Sequence, residues 1–311
     1  MQSVSEASQN DSIMIRIAII GYGNIGKFAV EAAQAAPDME IAGVVRRAGS
    51  VGKKEAELEG IKVVSDIDEL GKVDVAVICG PSRMCPALAE PLLKKGICTV
   101  DSFDIHTQVW ETLMQLDAAA KEGGSAAIIS AGWDPGSDSV IRTLLLAMAP
   151  KGITYTNFGP GMSMGHSVVA RSKDGVKNAL SMTIPVGTGI HRRMVYVELE
   201  DGYTLEQVAA AIKADDYFAH DETHVIAVDS VDNVRDMGHG VLLERKGVSG
   251  KTQNQNFKFT MSINNPALTA QILIACARAV LKQKSGAYTL PEIAPMDLLP
   301  GSRESLVKSL V

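Results

Sequence analysis

An α/β fold built on a doubly wound parallel sheet, followed by a second α+β domain, is predicted by three features of this sequence. Near the start, the strand-like run Ile15-Arg-Ile-Ala-Ile-Ile20 enters Gly21-x-Gly23-x-x-Gly26, and a helical pattern follows at once. From there to Ser130, buried-type strands alternate with helical segments, the order that gives a parallel sheet with helices on its faces. Beyond Lys151 the texture changes to long period-2 segments, which suit an antiparallel or mixed sheet with one covered face.

The elements follow in order. A strand over 15–21 runs into the glycine turn, and a helix over 27–36 leaves it. Pro37-Asp38 breaks the chain before a second strand over 40–46, and a short strand is expected over 62–65. Residues 73–79, Val-Asp-Val-Ala-Val-Ile-Cys, form a buried parallel-type strand that ends at Gly80-Pro81-Ser82. A helix over 86–95 closes at Gly96, and a strand over 97–101 follows. A long helix over 107–122 closes at Gly123-Gly124, before a strand over 126–130. Ala131-Gly-Trp-Asp-Pro-Gly136 is a loop, and a helix spans 137–148. Strands are expected over 194–200 and 257–263. Between them, Thr204-Leu-Glu-Gln207 opens a helix with a capping-box pattern. Asn265-Pro266 ends the last strand, and a final long helix over 267–283 is expected to pack back on the first domain. The expected division is a disordered tail over 1–12, a first domain from 13–130 plus 266–311, and a second domain over 131–265.

The bulk numbers narrow the class. A chain of 311 residues with 46% hydrophobic and 21% charged residues is ordinary for a two-domain globular protein. Its net charge of −6 and lack of a basic block argue against nucleic acid as a partner. The apolar runs are strand-sized, so no membrane span is expected. The polar start is not a secretory signal. The four cysteines, Cys79, Cys85, Cys98 and Cys276, lack metal-ligand spacing. No metal is therefore expected, and reduced thiols point to the cytoplasm.

The glycine turn carries the first functional signal. Gly21 permits a tight turn, Gly23 lets backbone approach a pyrophosphate, and Gly26 lets the helix pack close to the strand. The helix start then offers unpaired N–H groups to phosphate. Cofactor contacts are expected at Gly21, Tyr22, Gly23, Asn24, Ile25 and Gly26. At the end of the second strand a ribose-binding acid would select NAD. This chain has Arg46-Arg47 there. The planar arginine fork matches a phosphate, so NADP(H) is favoured, against an ordinary solvated arginine pair. Ligands lie outside the strand C-termini of such sheets. That rule selects Cys79-Gly80-Pro81-Ser82, Ser102-Phe103-Asp104 and Ala131-Gly132-Trp133-Asp134-Pro135 as cleft-lining loops.

Two of those loops carry a carboxylate, Asp104 and Asp134, and Trp133 adds a flat apolar wall. Two carboxylates near a nicotinamide suit a substrate ammonium. Cys79 ends a buried strand and reads as a core cysteine, so hydride transfer without a covalent intermediate is expected. The second domain offers complements: Arg192-Arg193 before a strand, His239 exposed between flexible glycines, Gly165-His166 in a Gly/Met loop, and Asn265 at a strand end. Each also has a plain structural reading, as a solvated arginine, a loop histidine or a turn former.

Taken together, the stretches GYGNIG (21–26), VDSFDIH (100–106), SAGWDPG (130–136), FGPGMSMGHS (158–167), MGHG (237–240) and NNPALTAQ (264–271) resemble the meso-diaminopimelate dehydrogenases. They span nearly the whole chain from Ile15, and the chain is most similar to the shorter, second type of these enzymes. The resemblance implies a Rossmann domain, a substrate-binding and dimerisation region over 131–265, and a homodimer. It also implies oxidation of the D-configured carbon of meso-diaminopimelate with NADP, giving L-2-amino-6-oxopimelate, ammonia and NADPH, within lysine and diaminopimelate metabolism. By position, Asp104 and Asp134 would meet the reacting amino centre, with Trp133 beside it. Thr183, Arg193 and His239 would bind the distal carboxylate, and Asn265 the distal amino-acid end. Gly165 and His166 fall where the substrate backbone is gripped. Phe158 replaces a tryptophan that lies over the substrate, and Met164 stands at an often polar position. Both departures loosen the expectation of strict specificity, and the second type is more permissive toward D-amino acids and 2-oxo acids.

Two alternatives stand beside this reading. One is another NADP reductase of similar plan, such as a dihydrodipicolinate reductase or a sugar dehydrogenase. The sugar enzymes usually carry a Lys-Pro pair where this chain reads Gly80-Pro81. The other is a non-catalytic NADP-sensing protein, which has no use for Arg193, His239 and Asn265.

Overall fold

A computed structural model describes residues 14–187, 189–235 and 238–311. The expected tail over 1–12 lies outside the described residues, as does Met237 of the Met-Gly-His-Gly stretch. The chain divides into two compact units, one drawn from Met1–Ser139 and Pro266–Val311, the other Val140–Asn265.

The first unit opens with β1 (Ile15–Ile20), α1 (Asn24–Ala35), β2 (Met39–Val45) and β3 (Val63–Val64). It continues with β4 (Val75–Ile78), α2 (Cys85–Lys94), β5 (Cys98–Asp101), α3 (Val109–Gly123) and β6 (Ala126–Ile129). After α4 (Ser137–Met148) come β7 (Lys151–Phe158), β8 (Gly161–Met162), α5 (Met164–Arg171), β9 (Val176–Gly187) and β10 (Ile190–Leu199). Then follow α6 (Leu205–Lys213), β11 (Glu222–Ala227), β12 (Gly238–Ser249) and β13 (Thr252–Asn264). The chain closes with α7 (Asn265–Val280), β14 (Gly286–Thr289) and α8 (Arg303–Leu310).

The first unit's sheet runs β14-β6-β5-β4-β1-β2-β3, with every pair parallel. Strands β4 and β6 are buried along their whole length, as a sheet covered on both faces requires. The order reverses at the β1–β4 pair, which is where such sheets bind ligands. Helix α1 starts at Asn24 rather than the expected Lys27. Its N-cap is Gly23, so the glycine-rich opening masks the first turn.

Strand β14 goes unseen in the sequence reading. Its four residues, Gly-Ala-Tyr-Thr, are too few and too mixed to show a period, and only pairing with β6 makes them a strand. Helix α7 starts two residues earlier than expected, with Pro266 in its first turn. That is a position proline tolerates. Arg278 of this helix donates to both oxygens of Asp38, just before β2, and to the Leu298 carbonyl. The Arg278 hydrogen bond holds the Asp38 carboxyl below its ordinary value.

The second unit holds two sheets, β11-β10-β9-β8 and β13-β12-β7. The first is mixed, since β10 runs parallel to β11 and antiparallel to β9. The second is antiparallel throughout. The capping box at Thr204 forms as expected, with Gln207 returning the bond.

Candidate active site

The glycine turn is built by contact distances. Gly21 has φ +96°, and a Cβ there would sit 3.3 Å from the Cys79 carbonyl. A Cβ on Gly26 would fall 2.3 Å from the Gly21 oxygen, whereas one on Gly23 would meet nothing within 4 Å. So Gly26 is fixed by packing, and Gly23 leaves open space in front of the helix start, where Asn24 and Ile25 lie in the first turn. The Gly21 N–H donates to the Val45 carbonyl, and the Cys79 N–H to the Ile20 carbonyl, each near 2.9 Å or below. These bonds bring the ends of β1, β2 and β4 together. Cys79 itself is buried, and burial pushes its thiol up to about 12. It offers backbone to this edge and no thiolate.

Arg46 leaves the end of β2 with its N–H on the Val64 carbonyl. Its guanidinium lies 5.2 Å from the Tyr22 ring centroid and 3.3 Å from Glu55. Lys27 approaches the same ring at 5.6 Å and Glu55 at 3.7 Å. Arg47 is exposed. The Tyr22 hydroxyl and Arg46 Nη1 are buried with no hydrogen-bond partner among the described residues. Burial, then the Glu57 and Glu55 charges, raise the Tyr22 pKa, so the phenol stays a donor. Unmatched donors beside two exposed-edge cations fit the phosphate-bearing end of NADP.

The three expected loops all stand at the C-terminal edge of this sheet. Ser82 accepts the Asp104 N–H at 3.3 Å, which joins the loop after β4 to the loop after β5. Gly80 and Pro81 precede it in the first of these loops. Ser102 lies against Gly132, where an added Cβ would come within 3.1 Å of the serine. Phe103 requires a correction. Its side chain is 1% exposed and belongs to the core, so only its backbone can meet a cofactor. Ala131, Gly132 and Trp133 are buried as well.

The loop carrying Asp134 closes on itself. Gly132 N–H donates to the Pro135 carbonyl, and Ser137 N–H to the Gly132 carbonyl. A Cβ on Gly136 would lie 2.0 Å from the Gly132 oxygen. Asp134 is thereby fixed with its carboxylate 18% exposed and 3.8 Å from His106 Nε2.

Asp101 is the residue that sequence reading passes over. It is fully buried at the end of β5. Its Oδ1 accepts the N–H of Phe103 at 2.9 Å and of Ser130 at 3.3 Å, and its carbonyl accepts the Ala131 N–H. One buried carboxyl therefore ties the Asp104 loop to the Asp134 loop. Burial raises its pKa to about 6, against the pull of the two N–H groups. The only signal was an acid closing an otherwise apolar strand, which reads as an ordinary strand end.

The second unit gathers its polar residues by register. Arg193 of β10 stands opposite Thr183 of β9. Its guanidinium donates to the Thr183 hydroxyl and to Asp221 at 2.6 Å. Arg192 and Arg193 lie within β10 rather than before a strand. Neighbours in a strand face opposite ways, so they cannot act as one clamp, and Arg192 pairs instead with Glu222.

His239 also departs from expectation. It is not an exposed loop imidazole but a buried residue at the start of β12. Its Nδ1 accepts the Gly240 N–H at 2.8 Å. Burial, with the Arg193 charge behind it, lowers its pKa to about 4. His166 likewise lies in a helix, α5, and not in a Gly/Met loop. Gly165 disguises that helix in sequence, since glycine disfavours helix interiors. Met164 opens it, and Ser163 Oγ bonds His166 Nδ1 at 2.8 Å. The ring meets Tyr217 and Phe218 edge-on, and burial lowers its pKa to about 3.

His191 was missed by the sequence reading. Its Nε2 accepts the Phe158 N–H at 2.8 Å, and the two rings lie 5.5 Å apart. Burial and Arg193 lower its pKa too. The Arg193 charge thus reaches three imidazoles that burial keeps neutral, which leaves Arg193, paired with Asp221, as the cation that could meet a carboxylate. Asn265 follows Asn264, which pairs with Gly238 beside His239. Among the described residues no cluster of His, Cys, Asp and Glu could hold a metal.

Comparison with known proteins agrees in both units. Residues 15–103 match the oxidoreductase family with an NAD-binding Rossmann fold, and residues 132–192 match the diaminopimelic acid dehydrogenase C-terminal domain. The meso-diaminopimelate D-dehydrogenase of Bacteroides fragilis is 64% identical over 297 residues, covering 96% of this chain and 99% of the relative. The solved structure of Corynebacterium glutamicum diaminopimelate dehydrogenase in complex with diaminopimelate has a TM-score of 0.86 at 29% identity. It is matched over 96% of this chain and 99% of that one. An engineered D-amino acid dehydrogenase bound to NADP+ has a TM-score of 0.84 at 28% identity, over 96% and 100% of the two chains. With a glycine turn, paired carboxylate loops and whole-length relatedness of this degree, the chain belongs to the meso-diaminopimelate D-dehydrogenase family.

Proposed function

We propose that this protein catalyses the NADP-dependent, reversible oxidative deamination of meso-diaminopimelate at its D-centre, giving L-2-amino-6-oxopimelate and ammonia. The observation that carries the reading is the pair of loops after β5 and β6, which put Asp104 and Asp134 at the same C-terminal sheet edge as the glycine turn. When bound, NADP supplies the hydride acceptor, and the resulting substrate imine is hydrolysed by water. The chain's own residues do the positioning. Asp104 and Asp134 accept hydrogen bonds from the reacting amine, and Trp133 forms an apolar wall beside that centre. Arg193, with Thr183 and His239, takes the distal carboxylate, and Asn265 the distal amino-acid end. The backbone at Gly165 and His166, with Phe158 and Met164 near it, grips the substrate chain. Neutral His166, His191 and His239 leave Arg193 as the cation that recognises the carboxylate. Other D-amino acids and 2-oxo acids are poorer alternative substrates.

The second unit is also proposed to form a homodimer. Leu144 and Met148, which share one face of α4, and Ile153 of β7 are each 46–57% exposed, large apolar groups that a partner copy would cover. Light scattering should then give twice the 33.0 kDa chain mass. Four free cysteines suit a reducing cytoplasm.

The test is absorbance of NADPH with NADP and meso-diaminopimelate, against D-alanine, L-alanine and glucose. Strong NADPH formation with meso-diaminopimelate, weak with D-alanine and none with the other two is expected. Silence with every amino acid would reject the dehydrogenase reading.

A further inference from the structure

Arg46 is expected to meet the 2′-phosphate of NADP, yet its nearest anion in the structure is the chain's own. Glu55 divides its two oxygens between two cations, with Oε1 3.3 Å from Arg46 Nη2 and Oε2 3.7 Å from Lys27 Nζ. The Tyr22 ring lies between the same cations, 5.2 Å from the Arg46 guanidinium and 5.6 Å from the Lys27 ammonium. The Arg46 side chain is only 10% exposed and that of Glu55 26%. Around this carboxylate the Tyr22 hydroxyl and Arg46 Nη1 remain buried without a partner among the described residues.

A carboxylate has two oxygens and one charge. A phosphate monoester has three free oxygens and carries between one and two charges. Glu55 uses one arginine nitrogen and leaves the other unmatched, as well as the phenol. A phosphate on the same cations could match both donors in addition. The two anions cannot share that face, because like charges there repel in a partly desolvated setting. Glu55 sits just before the short turn Ala56–Leu58, outside the sheet and the glycine turn, so it is not part of the scaffold that shapes the cleft.

We infer that Glu55 is a specificity-setting residue that competes with the cofactor's 2′-phosphate for Arg46 and Lys27, and so limits how strongly this chain prefers NADP to NAD. The inference rests on the NADP reading given above. It assigns the acid a role opposite to the ribose-binding acid of NAD enzymes: it holds no hydroxyl but occupies the phosphate's cations until displaced.

The test is calorimetric titration of the full-length protein with 2′,5′-ADP and with 5′-AMP, which differ in the 2′-phosphate. The variants are Glu55→Gln, which removes the charge, and Glu55→Asp, which keeps it. Glu55→Gln should bind 2′,5′-ADP roughly fivefold more tightly, the upper scale of a partly exposed charge pair, with 5′-AMP unchanged. Glu55→Asp should stay near the wild type. Weaker or unchanged binding of 2′,5′-ADP by Glu55→Gln, in a protein whose wild type prefers 2′,5′-ADP over 5′-AMP, would overturn the role of Glu55 alone. A wild type without that preference would instead overturn the NADP reading itself, and the competition with it.

Discussion

The two units place their polar residues by different means. In the first, every candidate group sits in a loop that leaves a parallel strand at the same edge. Gly21, Arg46, Ser82, Asp104 and Asp134 follow β1, β2, β4, β5 and β6 in turn. Parallel strands end together, so position along the chain already tells where the side chain lies. In the second unit the cluster is assembled across strands. Thr183 and Arg193 meet because β9 and β10 pair antiparallel in one register. A shift of one residue would turn Arg193 to the other face and bring Arg192 in its place. The first unit therefore tolerates sequence reading, whereas the second depends on pairing that no local motif encodes.

Removing the reacting-end carboxylate should have the largest effect. Asp134→Ala is expected to lower kcat/KM for meso-diaminopimelate by roughly a hundredfold or more, the scale of a positioned acid–base group. NADP binding should hardly change, since the loop is closed by backbone bonds of Gly132, Pro135 and Ser137. Near-normal turnover would remove Asp134 from its role and leave the sheet edge with cofactor binding alone.

Arg193 tests the register-built cluster in the same way. Arg193→Met should raise KM for meso-diaminopimelate roughly thirtyfold, the scale of a lost charge-assisted bond, with a smaller change in kcat. Arg193→Lys should recover part of that loss, because it restores charge without the fork. D-alanine lacks the distal carboxylate, so its KM should stay near the wild-type value. An equal loss on both substrates would mean that Arg193 serves the strand pair with Asp221 and not the substrate.

Acid should separate the units by sign. His239 has a folded pKa of about 4, below its ordinary 6.5. Its unfolded form binds the proton first, so the stability of neutral His239 is complete above pH 6.5 and falls as pH drops toward 4. At pH 5 the loss is about 2 kcal/mol for this buried group. His166, lowered to about 3, adds in the same direction. Asp101 works the opposite way. Its folded pKa of about 6 lies above the ordinary 3.8, so its burial costs most at neutral pH and less on acidification. Hydrogen exchange between pH 7 and pH 5 should therefore show β9 and β12 losing protection before β5 and β6. His239→Asn should flatten that difference, and simultaneous loss in all four strands would contradict it.

What was legible in the sequence follows from this physics. The glycine turn, the strand ends and the Thr204 cap are local, so composition and spacing reveal them. Asp101 was not legible, because its importance lies in joining a local N–H, that of Phe103, to the N–H of Ser130 in a loop distant along the chain. His191 was hidden in a strand whose start at Ile190 could not be told from the loop before it. Gly165 and the glycines beside His239 suggested flexible loops, yet tertiary packing drew them into a helix and a strand. Phe103 stood in the right motif with its ring turned to the core, in a loop whose backbone is held by the buried Asp101 carboxyl.

The smallest expected effect concerns Phe158, one of the two positions, with Met164, where the family resemblance implies a different residue. The Phe158 ring lies between His191, 5.5 Å away, and the Arg142 guanidinium, 5.8 Å from its centroid. Its N–H is also the donor that fixes the His191 tautomer, and a substitution leaves that backbone bond in place. Phe158→Trp adds apolar area to one wall without touching the carboxylates or Arg193. A larger wall should favour the long substrate and crowd short ones only slightly. The ratio of kcat/KM for meso-diaminopimelate over D-alanine should rise a few-fold, the scale of a small change in buried apolar contact, with the pH profile unchanged. An unchanged ratio would place Phe158 away from the substrate, and selectivity would then rest on the register-built charges of Arg193 and its neutral histidines.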